Sequence, residues 1–172
     1  VYVLPMRDPF SVAKSVATTS ILAEGRVALG VGVGWLAGEF EVLGHPFKSR
    51  GTRSDEMLEI MGALWRDGHV EYHGRHFDVP RVHAEPRPSR PIPVYVGGHS
   101  DAAIRRAATH DGWMGLDFAL DEIPAFVERL KEARRAAGRE QTAFEIQLAS
   151  RAPLTHERID QLESMGVTAL IL

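Results

Sequence analysis

A chain of 172 residues with 44% hydrophobic and 25% charged content is long enough to bury a sizeable core and reads as a single globular domain. Its formal net charge of -3 comes from interleaved acids and bases, which argues against a nucleic-acid or membrane surface, and its longest uncharged run, residues 27–38, is well short of the roughly 20 residues of a spanning helix. The lack of cysteine excludes disulfides, thiolate zinc sites and a cysteine nucleophile, and with no leader-like segment the sequence reads as cytoplasmic.

In chain order, residues 1–4 form a short buried strand and Asp8 caps a helix that opens at Pro9 and buries Val12, Val16 and Ala17. Glu24 and Gly25 close that helix, and an apolar strand over 27–34 follows after almost no loop, the spacing of a parallel βαβ unit. A second helix over 50–67 repeats Met57, Met61, Leu64 and Trp65 at helical spacing, with Arg53, Asp55, Glu56 and Glu59 as a solvated, salt-bridged face, and stops at Gly68. Residues 70–73 and 76–79, joined through Gly74 and Arg75, read as a small inserted hairpin near 69–80.

Half of the prolines fall between residues 80 and 93 and mark an extended connector. Then come a strand over 92–96 and a helix striped by Ala103, Ile104, Ala107 and Ala108. A strand over 112–115 and a helix over 120–137 with Ile123, Phe126, Val127 and Leu130 inward follow. A strand over 144–148, a helix over 155–165 and a strand over 167–172 end the chain. About six strands alternating with helices imply an α/β fold with a parallel sheet, either open and doubly wound or closed as a barrel.

Two corners carry the candidate chemistry. Gly30, Gly32 and Gly34 fall at period two on the second strand and leave one face as bare backbone, which suits either a flat cofactor ring or close internal packing. The spacing fails the G-x-G-x-x-G dinucleotide fingerprint, since Trp35 stands where the third glycine belongs. Gly97, Gly98, His99 and Ser100 precede a helix, so their backbone N–H groups and the Ser100 hydroxyl can converge on a phosphate, or Ser100 can simply cap the helix. His69, His73 and His76 lack metal-site geometry, because Gly68 and Gly74 interrupt any helix; no metal is expected. Of the three tryptophans, Trp35 is the one placed to meet a substrate, and no Ser-His-Asp or carboxylate pair emerges from the spacing.

Read together, Val1-Tyr-Val-Leu-Pro5, Gly25-Arg26, Leu29-Gly-Val-Gly-Val-Gly-Trp35, Phe40-Glu-Val-Leu-Gly44, Asp55-Glu-Met-Leu58, Leu64-Trp65, Gly97-Gly-His-Ser100 and Asp111-Gly-Trp113 resemble, in this order, the luciferase-like monooxygenase superfamily. The Gly-Trp form of the glycine strand looks most like its coenzyme F420-dependent, deazaflavin subgroup. The resemblance implies a partial TIM (β/α)8 barrel, from about strand 3 to strand 8, hence a fragment lacking the N-terminal part. It implies that Gly32, Gly34 and Trp35 lie against the deazaflavin ring and that Gly97, Gly98, His99 and Ser100 bind its phosphate, both corners serving one coenzyme. Coenzyme F420 is the implied cofactor and hydride transfer to or from a small organic substrate the implied reaction; FMN with a monooxygenase reaction is the alternative, and a non-catalytic flavin-binding remnant a third. The implied partners are a small-molecule substrate and a homodimer at most. Sugar-phosphate dehydrogenases of the family carry a glutamate proton donor where this chain has Trp35, so no catalytic acid or base is assigned.

Overall fold

A computed structural model describes residues 1–116, 118–149 and 155–171. The chain divides into two compact units, Val1–Pro93 and Val94–Leu172.

The first unit opens on β1 (Tyr2–Val3) and a single tight turn, Leu4–Met6, before α1 (Pro9–Leu22). Asp8 accepts the Ser11 N–H at 2.8 Å and Pro9 occupies the first helical position, as the sequence predicts. The chain returns through Glu24 and Gly25, both at positive φ, into β2 (Leu29–Gly32), which runs parallel to β1 with Tyr2 opposite Val31 and Val3 opposite Gly32. Next come α2 (Ala37–Val42) and the long α3 (Arg50–Asp67), which ends on Gly68 in the left-handed conformation at φ 72°. The predicted stripe of α3 is buried at Met57, Met61 and Leu64, joined by Leu58 and Ile60. Trp65 lies at the margin of that stripe, and its indole donates to the Ala13 carbonyl at 2.9 Å, tying α3 to α1.

The hairpin forms between β3 (His69–His73) and β4 (Asp78–His83), antiparallel, with a register shift between Val70 and Tyr72. Its second strand begins two residues later than the sequence suggests, because the N–H groups of Arg75, His76 and Phe77 are taken by the Glu56 carboxylate at 2.8, 2.8 and 3.0 Å. They bend around the carboxylate and leave the ladder to begin at Asp78. The expected solvated face of α3 is corrected in part by the same contacts, Glu59 remaining exposed while Arg53 and Glu56 are half-buried. Glu56 holds the hairpin loop, Glu59 accepts the Tyr72 hydroxyl at 2.6 Å, and Arg53 stacks on Phe77 at 4.5 Å and donates to the Pro5 carbonyl.

Desolvation pushes the Glu56 carboxyl up, but the three backbone donors and His76 together outweigh it and hold the group below its ordinary 4.5. A depressed folded-state pKa means that the contribution is present above 4.5 and fades as pH falls through the lowered value. Glu56→Ala is therefore expected to cost about 2 kcal/mol at neutral pH, a figure that allows for solvent screening. It should also flatten the acid limb of the stability curve. Denaturation at pH 7 and pH 3 checks both, and equal acid sensitivity of the two proteins would count against the role given to Glu56.

The second unit is a run of βα repeats: β5 (Val94–Gly97), α4 (Asp101–Ala108), β6 (Gly112–Leu116), α5 (Ile123–Ala136), β7 (Glu145–Ala149), α6 (His156–Ser164) and β8 (Ala169–Ile171). Each strand pairs in parallel with the next. Leu172, the last residue of the predicted final strand, lies outside the described residues. The predicted stripe of α4, Ala103, Ile104, Ala107 and Ala108, is buried, as are Ile123, Phe126, Val127 and Leu130 of α5. At the start of the strands Asp111 exchanges hydrogen bonds with Val94, its carboxylate accepting the Val94 N–H at 2.9 Å and its own N–H reaching the Val94 carbonyl at 3.1 Å. Arg134 is buried against Phe144 and donates to the carbonyls of Arg139 and Thr142, which closes the loop after α5.

Candidate cofactor corners

The first corner lies at the carboxyl end of β2. Gly34 adopts φ 76°, which suits glycine and turns the chain toward α2. A Cβ at Gly32 would come within 2.8 Å of Val1 Cγ1, and one at Gly34 within 2.8 Å of Val3 Cγ1 and 3.0 Å of the Phe40 ring. At Gly34 the side that lacks a side chain is thus already filled by β1 and α2, so close internal packing by itself favours glycine there, whereas at Gly32 the neighbour is the exposed Val1. Trp35 stands outside that packing at 83% exposure, beside the exposed Leu36.

The turn is held by residues the sequence analysis did not single out. Arg50 Nε donates to the Gly34 carbonyl at 3.1 Å, its Nη1 reaches the Phe47 carbonyl at 3.1 Å, and its guanidinium lies 3.9 Å from the Phe47 ring centroid. Phe47 meets Phe40 edge to face at 5.2 Å. Nothing local in the sequence links Arg50 to Gly34, 16 residues earlier; only the fold brings them together.

The second corner lies at the carboxyl end of β5. Gly98 adopts φ 120°, a conformation that side-chain-bearing residues rarely take, and a Cβ there would meet Ala103 at 3.0 Å. Ser100 caps α4, its Oγ accepting the Ala103 N–H at 3.3 Å. The hydroxyl proton is left to donate, and the N–H groups of Asp101 and Ala102, in the first turn, have no carbonyl of their own helix to reach. Asp101 brings a carboxylate to the same end, where Arg129 engages it at 2.7 Å.

His99 is not simply solvated. Its ring packs on Phe118 with centroids 4.6 Å apart, in a cluster that includes Trp113 and Phe126. The Trp113 indole N–H donates to the Gly98 carbonyl at 2.8 Å. The sequence places Trp113 on a strand and in the Asp111-Gly-Trp113 motif with no role at this turn, yet it anchors this corner. The chemistry available here is that of an anion receptor: backbone and hydroxyl donors on an exposed turn, a helix dipole behind them, and an imidazole packed at a tilt on Phe118.

The hairpin histidines go to separate partners. His73 faces Asp78 at 2.6 Å and Glu71 at 3.4 Å, which raises its pKa, His76 Nε2 meets Thr52 Oγ1 at 2.8 Å, and His69 lies against His83.

Comparison with known proteins places the chain in a family. The model of the luciferase-like monooxygenase family matches residues 1–168 and so runs through both units. An uncharacterized protein of Mycobacterium tuberculosis strain H37Rv is 41% identical over 169 residues, which cover 98% of this chain and 58% of that protein. An F420-dependent glucose-6-phosphate dehydrogenase of Segniliparus rotundus is 32% identical over 153 residues, 83% of this chain and 45% of that enzyme. Among solved structures, an F420-dependent secondary alcohol dehydrogenase in complex with an F420-acetone adduct superposes with a TM-score of 0.76 at 23% identity, over 87% of this chain and 47% of that one. The chain spans about half the length of the curated relatives it matches. The α/β class and parallel strands expected from the sequence are the fold of that structure, a luciferase-like barrel of which this chain matches part. With the family model covering nearly all of it, the chain belongs to the luciferase-like monooxygenase family.

Proposed function

We propose that this chain is part of an oxidoreductase that transfers a hydride between the deazaflavin coenzyme F420 and a small organic substrate. The observation that carries the reading is the turn after β5, where glycine at φ 120°, a capping serine whose hydroxyl proton has no acceptor among the described residues and the open first turn of α4 form a receptor that suits the coenzyme's phosphate. Family membership and relatives named for F420 support it. Gly97, Gly98, His99 and Ser100 would hold the phosphate. Gly32, Gly34 and Trp35 would meet the ring, with the exposed indole of Trp35 giving it an apolar contact, since Val3 and Phe40 take the Cβ side of Gly34.

A bound deazaflavin supplies the hydride chemistry. The chain's own residues bind and orient it. Trp35 stands where a glutamate proton donor would serve a sugar phosphate, which supports a different substrate class. A soluble cytoplasmic protein acting on a small molecule, alone or as a homodimer, completes the proposal; among the described residues no helix is long and apolar enough to cross a membrane.

The second reading, an FMN-dependent monooxygenase, is favoured by the family's name, and oxygen separates the two. Reduced deazaflavin supplied to the protein should give almost no oxygen uptake; tight binding of FMN in preference to the deazaflavin, with oxygen uptake from reduced FMN that the protein changes from the rate of the free flavin, would replace the first reading by the second. Ser100→Ala combined with Gly98→Val should weaken coenzyme binding at least about tenfold, by removing a donor and forbidding the turn's conformation. Fluorescence titration with F420 and FMN reads this directly. A folded protein that binds neither coenzyme would leave a non-catalytic barrel remnant, and unchanged affinity in the double variant would reduce Ser100 to a helix cap.

A further inference from the structure

We infer that Trp113 is a positioning residue for the phosphate corner: its indole N–H fixes the peptide between Gly98 and His99 so that the His99 N–H faces the bound phosphate. The inference rests on the proposed function above and adds the residue that sets the corner's geometry. A trans peptide is planar, and its C=O and N–H point in opposite directions. The Gly98 carbonyl is drawn inward to Trp113 Nε1 at 2.8 Å, and Trp113 is buried at 2% exposure. The N–H that His99 contributes to the same peptide therefore leaves on the opposite side, at a corner where Gly98, His99 and Ser100 are all exposed.

Rotation of this peptide is the motion that would spoil the receptor. Gly98, with no Cβ, offers the weakest steric barrier to it. The indole bond supplies the restraint that the side chain cannot. Flipping the peptide would aim a carbonyl oxygen, rather than a donor, at the anion.

The indole is itself held in place. Phe126 lies 4.5 Å and Phe118 5.6 Å from it, centroid to centroid. Gly115, two residues along β6, leaves open the space into which the indole folds, since a Cβ there would fall on the ring. The three residues of the Asp111-Gly-Trp113 motif thus divide the work. Asp111 pins the foot of β5, Gly112 leaves room for the Tyr95 ring, which a Cβ there would meet at 2.6 Å, and Trp113 reaches the opposite end of β5 to set the turn. Among the described residues, the Asp101 carboxylate at the start of α4 is engaged by Arg129, and the His99 ring lies on Phe118.

The test compares two ligands on two proteins. Coenzyme F420 and its phosphate-free deazaflavin chromophore are titrated into the wild type and into Trp113→Phe, which keeps an aromatic ring and loses the N–H. The wild type should prefer the phosphate-bearing ligand by about tenfold or more, the worth of one charge-assisted hydrogen bond. Trp113→Phe should lose most of that preference while holding the phosphate-free ligand within about twofold of wild type, a selectivity change that general loosening of the core would not produce. A variant that keeps the full preference overturns the role of Trp113 and leaves the phosphate corner standing. A wild type without preference, or without binding, overturns the corner and the inference with it. If Trp113→Phe does not fold, the wild type still decides: in amide NMR spectra inorganic phosphate should shift the His99 N–H, and an unmoved His99 overturns the inference.

Discussion

Gly115→Ala is expected to destabilise the second unit by about 3 kcal/mol, near the upper end of what overpacking a well-filled core usually costs. The added methyl would fall on the Trp113 indole, and its three nearest atoms are all in that ring rather than at the end of a flexible chain. The ring has nowhere to retreat. It is buried, lies against Phe126 and Phe118, and is tethered through Nε1 to the Gly98 carbonyl. Relief must come from moving β6 or from giving up that hydrogen bond. The cause is tested by a double-mutant cycle. In a Trp113→Phe background the part of the ring that meets the methyl is gone, so Gly115→Ala should cost at least about 1 kcal/mol less there than in the wild type. Equal costs in the two backgrounds, read from denaturant midpoints, would show that the strain lies in the strand and not against the indole.

How much of this was legible in the sequence depended on how local each signal was. Asp8 before Pro9, Gly68 at the end of α3 and the alanine stripe of α4 announced themselves within a few residues, and the structure has each where the pattern puts it. Helix α2 gave no such signal. It has six residues, too few for a periodicity, and Phe40 is its one buried side chain. The acids of α3 misled for a related reason: at helical spacing they look like a solvated face, yet Glu56 and Glu59 are spent on the hairpin that follows. That partnership spans about twenty residues, and no short window contains both halves of it.

The corners show the same division. Glycine at 32, 34, 97 and 98 and serine at 100 could be picked out as unusual in composition and place. What surrounds each could not. The sequence left open whether the glycine strand served packing or a ligand, and the approach of Val1, Val3 and Phe40 shows how much of it packing claims. Arg50 carries no local motif, and the Asp111-Gly-Trp113 motif does not by itself point to Gly98; the roles of the two residues at the turns arise because the fold sets the start of α3 and the first half of β6 beside turns about fifteen residues earlier in the chain.

Phe40→Ala is expected to have the largest effect in the first unit, about 4 kcal/mol, the usual cost of emptying a fully buried phenylalanine site. Phe40 has no accessible surface. Its ring fills the space left by the missing side chain of Gly34 and meets Phe47 edge to face; Phe47 in turn lies under Arg50, which holds the Gly34 carbonyl. These four residues form a closed circuit, and Phe40 is its link to α2. A helix of six residues does not persist without packing, because its few hydrogen bonds do not repay nucleation. Truncating the ring should therefore release α2 and the 34–36 turn together, beyond the general loss of stability. In amide exchange, residues 34–43 should approach the rate of an open loop, while the buried positions of α3 keep protection matching the remaining global stability. Phe40→Leu, which refills most of the volume, should recover more than half of the loss. If the alanine variant loses less than about 1 kcal/mol, or if residues 34–43 exchange no faster than the rest of the unit, the turn is held by Arg50 alone and the circuit through Phe40 is not what supports it.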